Sequence, residues 1–308
     1  MRPRKPRTDL GRLSTEKTNP AAVDLDLQSA LAIARIINLE DAKVAPAVKR
    51  VLPQIARAID LIAQALGQGG RLLYVGAGTS GRIAALDAAE CPPTFNLDPK
   101  TVQYVMAGGP KALGVALEAD EDSRQLGKRE MAKKKPGKMD VVVGIAASGR
   151  TPFTVAAVAY ARRQGATTVA VTCNPNSPLE KAAHLAIVAE VGPEAVSGST
   201  RMKAGTAQKM ILNMLSTGAM TRLGYVYGNL MVNVHLKNEK LAERGVSILE
   251  RAAKVNREAA KKALKAAGNS VPVALVMLLS GAPRAQAWQA LKAVHGHVRH
   301  AAAWVRNR

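Results

Sequence analysis

Apolar residues recur at helical spacing from residue 25 to 66, as at Leu31, Ile33, Ile36 and Ile37, and again at Val48, Val51, Ile55, Ile59 and Ile62. Pro46 and Pro53 divide this stretch into two helices or kink it. Gly67-Gln68-Gly69-Gly70 closes the layer, and the pattern then changes. Short apolar runs at residues 71–76, 102–106, 140–145, 167–172 and 185–188 read as buried strands. A glycine- and hydroxyl-rich turn and a helix to about Ala89 follow the first run. A helix through Glu118 and Glu121 follows the second, and one from about Phe153 to Gln164 follows the third. Alternation of strand and helix predicts an α/β fold, a parallel-sheet αβα sandwich with helices on both faces. From Ser199 the pattern turns helical: a long Met- and Leu-rich helix from Met202 to Leu223, then a charged helical region from Val234 to Lys265. Gly268, Gly281 and Gly296 separate three short helices in a small C-terminal module over residues 266–308. Residues 1–12 are basic and proline-containing and are expected to be disordered, which leaves 13–265 as the main domain.

Composition adjusts this picture. A hydrophobic content of 47% supplies a sizeable core, but aromatics are only 3%, so aliphatic residues and methionine must build it. Scarce aromatics also argue against a base-stacking surface for single-stranded nucleic acid. The net charge of +21 admits nucleic acid, an acidic membrane or anionic small substrates. The excess lies in separated clusters, at the N-terminus, over residues 128–138 and in the C-terminal third, which reads as a basic solvated surface. Nucleic acid is therefore not the expected partner. Cys91 and Cys173 lie far apart without metal-ligand spacing, so free thiols in a reducing cytoplasm are expected. No stretch reaches the roughly 18 apolar residues that span a bilayer. The basic N-terminus lacks the apolar segment of a secretory signal. His184, His235, His295, His297 and His300 show no metal spacing, so neither metal nor cofactor is expected.

The chemistry concentrates in three hydroxyl-rich turns. Gly76-Ala77-Gly78-Thr79-Ser80-Gly81 joins a strand to a helix, the arrangement that aims backbone N–H groups and a helix N-terminus at an anion. Its glycine spacing also matches the dinucleotide fingerprint. That motif wants an acid at the end of the second strand, about 20 residues on, whereas Asp98 precedes that strand. A phosphate or sugar cradle through Thr79 and Ser80 is the favoured reading. Ser148-Gly149-Arg150-Thr151 occupies an equivalent strand end, although its hydroxyls would also serve as a simple helix cap. Ser199, Thr200 and Lys203 open the long helix and would complement a phosphate. Glu90 stands at the predicted end of its helix, where a negative charge opposes the dipole, and such conflicts mark functional sites. Glu118, Asp120, Glu121 and Asp122 cluster in an otherwise basic chain; one of them with Glu90 would make an acid and base pair.

Taken together these stretches resemble the N-acetylmuramic acid 6-phosphate etherases of the sugar isomerase (SIS) superfamily. The resemblance rests on Leu13-Ser14-Thr15-Glu16 with Asn19, on residues 76–82 running to Glu90-Cys91-Pro92-Pro93, and on residues 144–152. Residues 198–209 and Tyr227-Gly228-Asn229 add to it. It implies a homodimer that cleaves the D-lactyl ether of a phosphosugar by elimination and water addition, and a ubiquitin-associated-like C-terminal module. By motif match Glu90 falls on the acid that serves the lactate, and Glu121 on the second catalytic glutamate. The second motif is usually Glu-Gly-Ala-Glu-Asp; here it reads Glu118-Ala119-Asp120-Glu121-Asp122. A phosphosugar aldose–ketose isomerase and a non-catalytic phosphosugar sensor remain the alternative readings.

Overall fold

Three helices precede the first strand: α1 (Ala30–Asp41), α2 (Val44–Lys49) and α3 (Leu52–Gly67). The two expected helices are therefore three, because the prolines begin helices instead of kinking one. Pro53 stands in the first turn of α3, where its missing N–H costs nothing. The computed structural model describes residues 13–115, 118–234, 236 and 239–307. The expected N-terminal tail and His235 lie outside the described residues.

A parallel sheet follows, made of β1 (Leu72–Gly76), β2 (Val102–Met106), β3 (Val141–Ile145), β4 (Thr167–Thr172) and β5 (Leu185–Val188) in the order β2-β1-β3-β4-β5. All five apolar runs are strands. The chain winds one way from β1 to β2 and the other way from β3 onward, so the strand order reverses between β1 and β3. Ligands of doubly wound sheets bind at such a point, outside the carboxyl ends of the strands. Register pairs Gly76 with Ile145, so the turns that leave these two strands start side by side.

Helices cover both faces. Leu73, Val75, Val142 and Ala170 share a core with Met131, Phe153, Val158 and Leu179 from α6 (Arg124–Lys133), α7 (Pro152–Arg163) and α8 (Pro178–Ala182). The alternate residues Leu72, Tyr74, Val143 and Ile145 are fully buried on the other face, which α3 crosses. Helix α4 (Gly78–Phe95) is tied to that face: the Tyr74 hydroxyl donates to Asp87 Oδ2 at 2.8 Å and Asn213 Nδ2 donates to Oδ1 at 2.7 Å.

Two helices depart from the sequence expectation. Helix α4 does not stop at Ala89 but runs through Pro92 and Pro93 to Phe95. In a last turn, prolines forgo only their bonds to the carbonyls four residues back. Helix α6 forms in the lysine-rich segment, capped by Ser123 Oγ, which accepts from Leu126 N, and buried through Gly127 and Met131.

The remaining elements are α5 (Glu118–Glu121), α9 (Lys203–Arg222), the short hairpin β6 (Val226–Tyr227) and β7 (Leu230–Met231), and the five helices α10 (Glu239–Ala253), α11 (Arg257–Ala266), α12 (Val271–Ser280), α13 (Arg284–Ala293) and α14 (Val298–Arg306). Two units result. A sheet unit runs to Ala88 and resumes over Val102–Leu215; a helical unit joins Ala89–Thr101 to the chain from Ser216 onward. The helical unit is larger than the expected tail module. Helices α10 and α11 share one aliphatic core with the three tail helices, through Val246, Leu249, Leu264, Leu275, Leu291 and Val298. Among the described residues no single helix is long and apolar enough to cross a membrane.

Candidate functional site

The first turn leaves β1 and becomes α4 at once, with Gly78 at φ +52°. A side chain there would be strained by that φ, and a Cβ would lie 2.9 Å from Glu121 Oε1. The absence of a Cβ therefore lets the Glu121 carboxylate rest against the start of α4. Helix α5, only four residues long, delivers it there. Ser80 is buried and donates from Oγ to Gln208 Oε1 at 2.9 Å, which fastens this turn to α9. Thr79 is half-buried, and its methyl lies 3.5 Å from where a Cβ of Gly205 would stand.

The second turn leaves β3. Gly149, at φ +66°, closes it with an N–H bond to Ala146 O, and a Cβ there would collide with the Ser177 hydroxyl. Ser148 Oγ accepts from Arg150 N at 3.2 Å. Thr151 precedes α7 but its hydroxyl makes no cap hydrogen bond, so the plain-cap reading fails for this residue. Arg150 Nε is buried without a hydrogen-bond partner among the described residues. An unspent buried guanidinium donor beside an uncapping hydroxyl suits an oxyanion.

The third turn corrects the sequence reading in two places. Lys203 is 1% exposed, and its ammonium is bound 2.5 Å from Glu40 Oε2 inside the protein. The start of α9 is also taken: Glu194, fully buried, accepts from Lys203 N and Ala204 N at 2.9 Å each. Neither the ammonium nor these N–H groups is therefore available to a phosphate. The physical reason is that a buried carboxylate already satisfies the positive end of the helix. Ser199 and Thr200 remain half-buried on this turn. Burial works to raise the Glu40 pKa, but hydrogen bonds from Lys203, Lys43 and Asn19 outweigh it and hold it at about 2. Burial pushes Glu194 above the usual carboxylate range despite its two N–H donors.

Glu90 sits differently from its expected place. It lies in the helical unit, exposed, within α4 and five residues short of its end at Phe95. The opposition to the helix dipole inferred from an end at Ala89 falls away, because that effect fades beyond the last turn. Glu121 belongs to the sheet unit.

The segment from Leu13 to Asn19 carries a motif whose work the sequence alone does not disclose. The structure assigns some. Ser14 donates from its N–H and Oγ to Asn174 Oδ1 at 2.8 and 2.9 Å, and Asn174 Nδ2 donates to Thr15 Oγ1 and to Ala147 O. The segment is thereby pinned to the second turn. Ser197 Oγ donates to Glu16 O at 3.2 Å, and the Glu16 carboxylate stands 3.3 Å from where a Cβ of Gly198 would be. One short N-terminal strap thus braces two of the three turns. Among the described residues no group of His, Cys, Asp and Glu is gathered as a metal site. Both cysteines are buried and neither is in a disulfide among the described residues; burial first, then Glu194, pushes the Cys173 thiol up to about 12.

Comparison with known proteins matches this architecture. Residues 54–162 match the family model of the glucokinase regulatory protein N-terminal SIS domain, and residues 130–218 match that of the SIS domain. A phosphoheptose isomerase from Francisella tularensis superposes with a TM-score of 0.51 at 17% identity, covering 63% of this chain and all of that one, a likeness of fold. The N-acetylmuramic acid 6-phosphate etherase of Aeromonas hydrophila is 51% identical over 290 residues, 94% of this chain and 97% of its own. That of Yersinia pestis is 51% identical over 292 residues, 95% of this chain and 99% of its own. Identity at that level along nearly the whole of both chains is decisive: this chain belongs to the N-acetylmuramic acid 6-phosphate etherase family.

Proposed function

We propose that this protein is a carbon–oxygen lyase that cleaves the D-lactyl ether of N-acetylmuramic acid 6-phosphate, releasing N-acetylglucosamine 6-phosphate and D-lactate in cell-wall amino-sugar recycling. Beside the family membership, the observation that carries this reading is Glu121 resting on Gly78 at the point where the sheet reverses its order. A carboxylate there meets a ligand whose phosphate lies on the helix starts of α4 and α7. Thr79, Ser148 and Thr151 supply hydroxyls to it, Ser80 holds the turn to Gln208, and Arg150 supplies a cation. Ser199 and Thr200 face the sugar. Lys203 contributes from behind, by holding α9 to Glu40.

The steps follow from the acidity of the carbon next to an aldehyde. In the opened sugar Glu121 takes the proton from C2, and the electron pair left there expels the C3 oxygen. Glu90 gives that oxygen its proton as lactate departs. Water then adds across the C2–C3 double bond, with hydroxide to C3 and the proton to C2. The sum is hydrolysis of an ether without change of oxidation state.

We place the enzyme in the cytoplasm as a homodimer. Two cysteines outside any disulfide suit a reducing compartment. Ile211, Leu212, Leu215 and Met220 of α9 are wholly buried, whereas Leu27, Leu31 and Leu39, at and near α1, are 61–79% exposed. Apolar side chains left in water over such a patch suit a second subunit.

Assay of D-lactate released from N-acetylmuramic acid 6-phosphate tests the reading. In labelled water the new oxygen is expected at C3 of the product. Glu121→Gln and Glu90→Gln are each expected to lower turnover by about 10²- to 10⁴-fold with the fold intact. Isomerised sugar without lactate would overturn the etherase assignment, and near-normal turnover in either variant would overturn that residue's role.

A further inference from the structure

The helical unit encloses a cavity of about 410 Å³ that the reaction above does not use. Its size falls in the range of small-molecule sites, roughly 300–1,000 Å³. Its apolar walls come from Leu223 at the end of α9, Pro272 and Val273 in the first turn of α12, and Leu291 of α13. Gly224 and Gly296 line it where the chain turns.

The polar groups around it are an ammonium, two hydroxyls, an indole, an imidazole and the amide of Asn233, whose Nδ2 already donates to Phe95 O. None of the lining residues is acidic. Lys292 is exposed, and among the described residues it makes no ion pair; its ammonium stands 5.4 Å from the centroid of the Trp288 ring. Trp288 itself is 56% exposed, an indole left half in water at the cavity wall. Ser270 holds the position before α12 but its hydroxyl makes no cap hydrogen bond. The Tyr225 phenol has no hydrogen-bond partner among the described residues, and burial raises its pKa, so it stands there as a neutral donor. His295 completes the rim. An ammonium, two hydroxyl donors and an indole face around an apolar space complement a molecule with an anionic end and a flat or aliphatic body.

We infer that this cavity is a second binding site, which takes a small organic anion, a carboxylate or sulfonate on an aryl or acyl body, with Lys292 and Ser270 at the anionic end and Trp288, Val273 and Leu291 around the apolar body.

Anilinonaphthalenesulfonate is a suitable probe, and its uncharged relative N-phenylnaphthylamine separates charge from apolar contact. The full-length protein is expected to bind the sulfonate at one saturable site, quenching Trp288, with Trp288→Phe reducing the quenched signal to what Trp304 contributes. Lys292→Glu is expected to weaken the sulfonate about tenfold, or about 1.4 kcal/mol, and to leave the neutral compound unchanged. Val273→Trp, which fills the space, is expected to abolish binding of both. Lys261→Glu, a reversal of an exposed lysine on α11, changes the net charge equally and is expected to change nothing. Equal weakening by Lys261→Glu and Lys292→Glu overturns the site in favour of general attraction to a basic surface. Retention of wild-type affinity in Lys292→Glu overturns it as well, and that exposed position keeps the test valid even where Val273→Trp fails to fold.

Discussion

In the sheet unit Glu40, Asp87, Asp140, Glu194 and Lys203 are all buried, and with them Thr15, Asn19, Ser80, Asn174 and Gln208. In the helical unit Ser216 alone among the described residues is a buried polar side chain, and the core is aliphatic. Its ion pairs, from Arg257 to Glu243 and Glu250, lie at the surface. The difference follows from what each unit has to position. Aliphatic packing holds helices together but leaves them a range of small shifts. The loops at the strand ends have no ladder of their own, and buried hydrogen bonds with fixed partners hold them in one arrangement. Most of this buried polarity braces the turns at the carboxyl ends of the strands, whereas Asp140, paired with Arg71, ties the opposite ends of β1 and β3.

Removing one member of a buried pair is the strongest way to break this contrast. Lys203→Met leaves Glu40 charged and is expected to cost about 3–5 kcal/mol in guanidinium unfolding. The Glu40→Gln, Lys203→Met double variant should recover much of that loss. A single variant within about 1 kcal/mol of wild type would show that the pair does not hold the site. In the helical unit Leu275→Ala, at a fully buried position, is expected to cost about 2–5 kcal/mol. Its cost should not depend on pH, since no titrating group is removed.

Acid separates the units more finely. The Glu40 pKa is lowered from an ordinary 4.5 to about 2, so its contribution is complete above pH 4.5 and drains away as the pH falls toward 2. Glu194 has the opposite sign: its raised pKa means that ionisation costs stability, and protonation on acidification relieves that cost. The stability difference between wild type and Glu40→Gln should accordingly shrink between pH 4.5 and 2. A difference that stays constant across that window would refute the assignment. The smallest effect belongs to the surface: Arg257→Ala should cost less than about 1 kcal/mol and less still in high salt.

Much of this was legible in the chain because it is local. A strand buried on both faces is a short apolar run, and all five runs were read correctly. The first two turns announce themselves by glycine and hydroxyls beside those runs. What stayed hidden depends on distant partners. Lys203 reads as a phosphate ligand until Glu40, 163 residues away, is found at its ammonium. Nothing near Glu194 in the sequence says that it caps α9, and Glu40, next to Leu39 and Asp41, looks like one more solvated charge. Helix α6 was missed because its lysines and arginines leave few apolar residues to show a period. Helix α4 outruns the expected end at Ala89 because Pro92 and Pro93, which disfavour helix by pattern, fall in its last turn. Glu121 gained the most: a helix through it was legible, but its approach to Gly78, 43 residues earlier in the chain, was not.

The carboxylate of Glu194 also bears on how a ligand is sorted among the three turns. Each helix start is a partial positive charge, and three of them in one place would compete for the same anion. The start of α9 is neutralised from within by Glu194, and the start of α4 carries the Glu121 carboxylate beside Gly78, while α4 and α7 rise from the adjacent strands β1 and β3. On the function proposed above, an incoming anion rests where β1 and β3 adjoin, and the uncharged part of the molecule lies along the third turn.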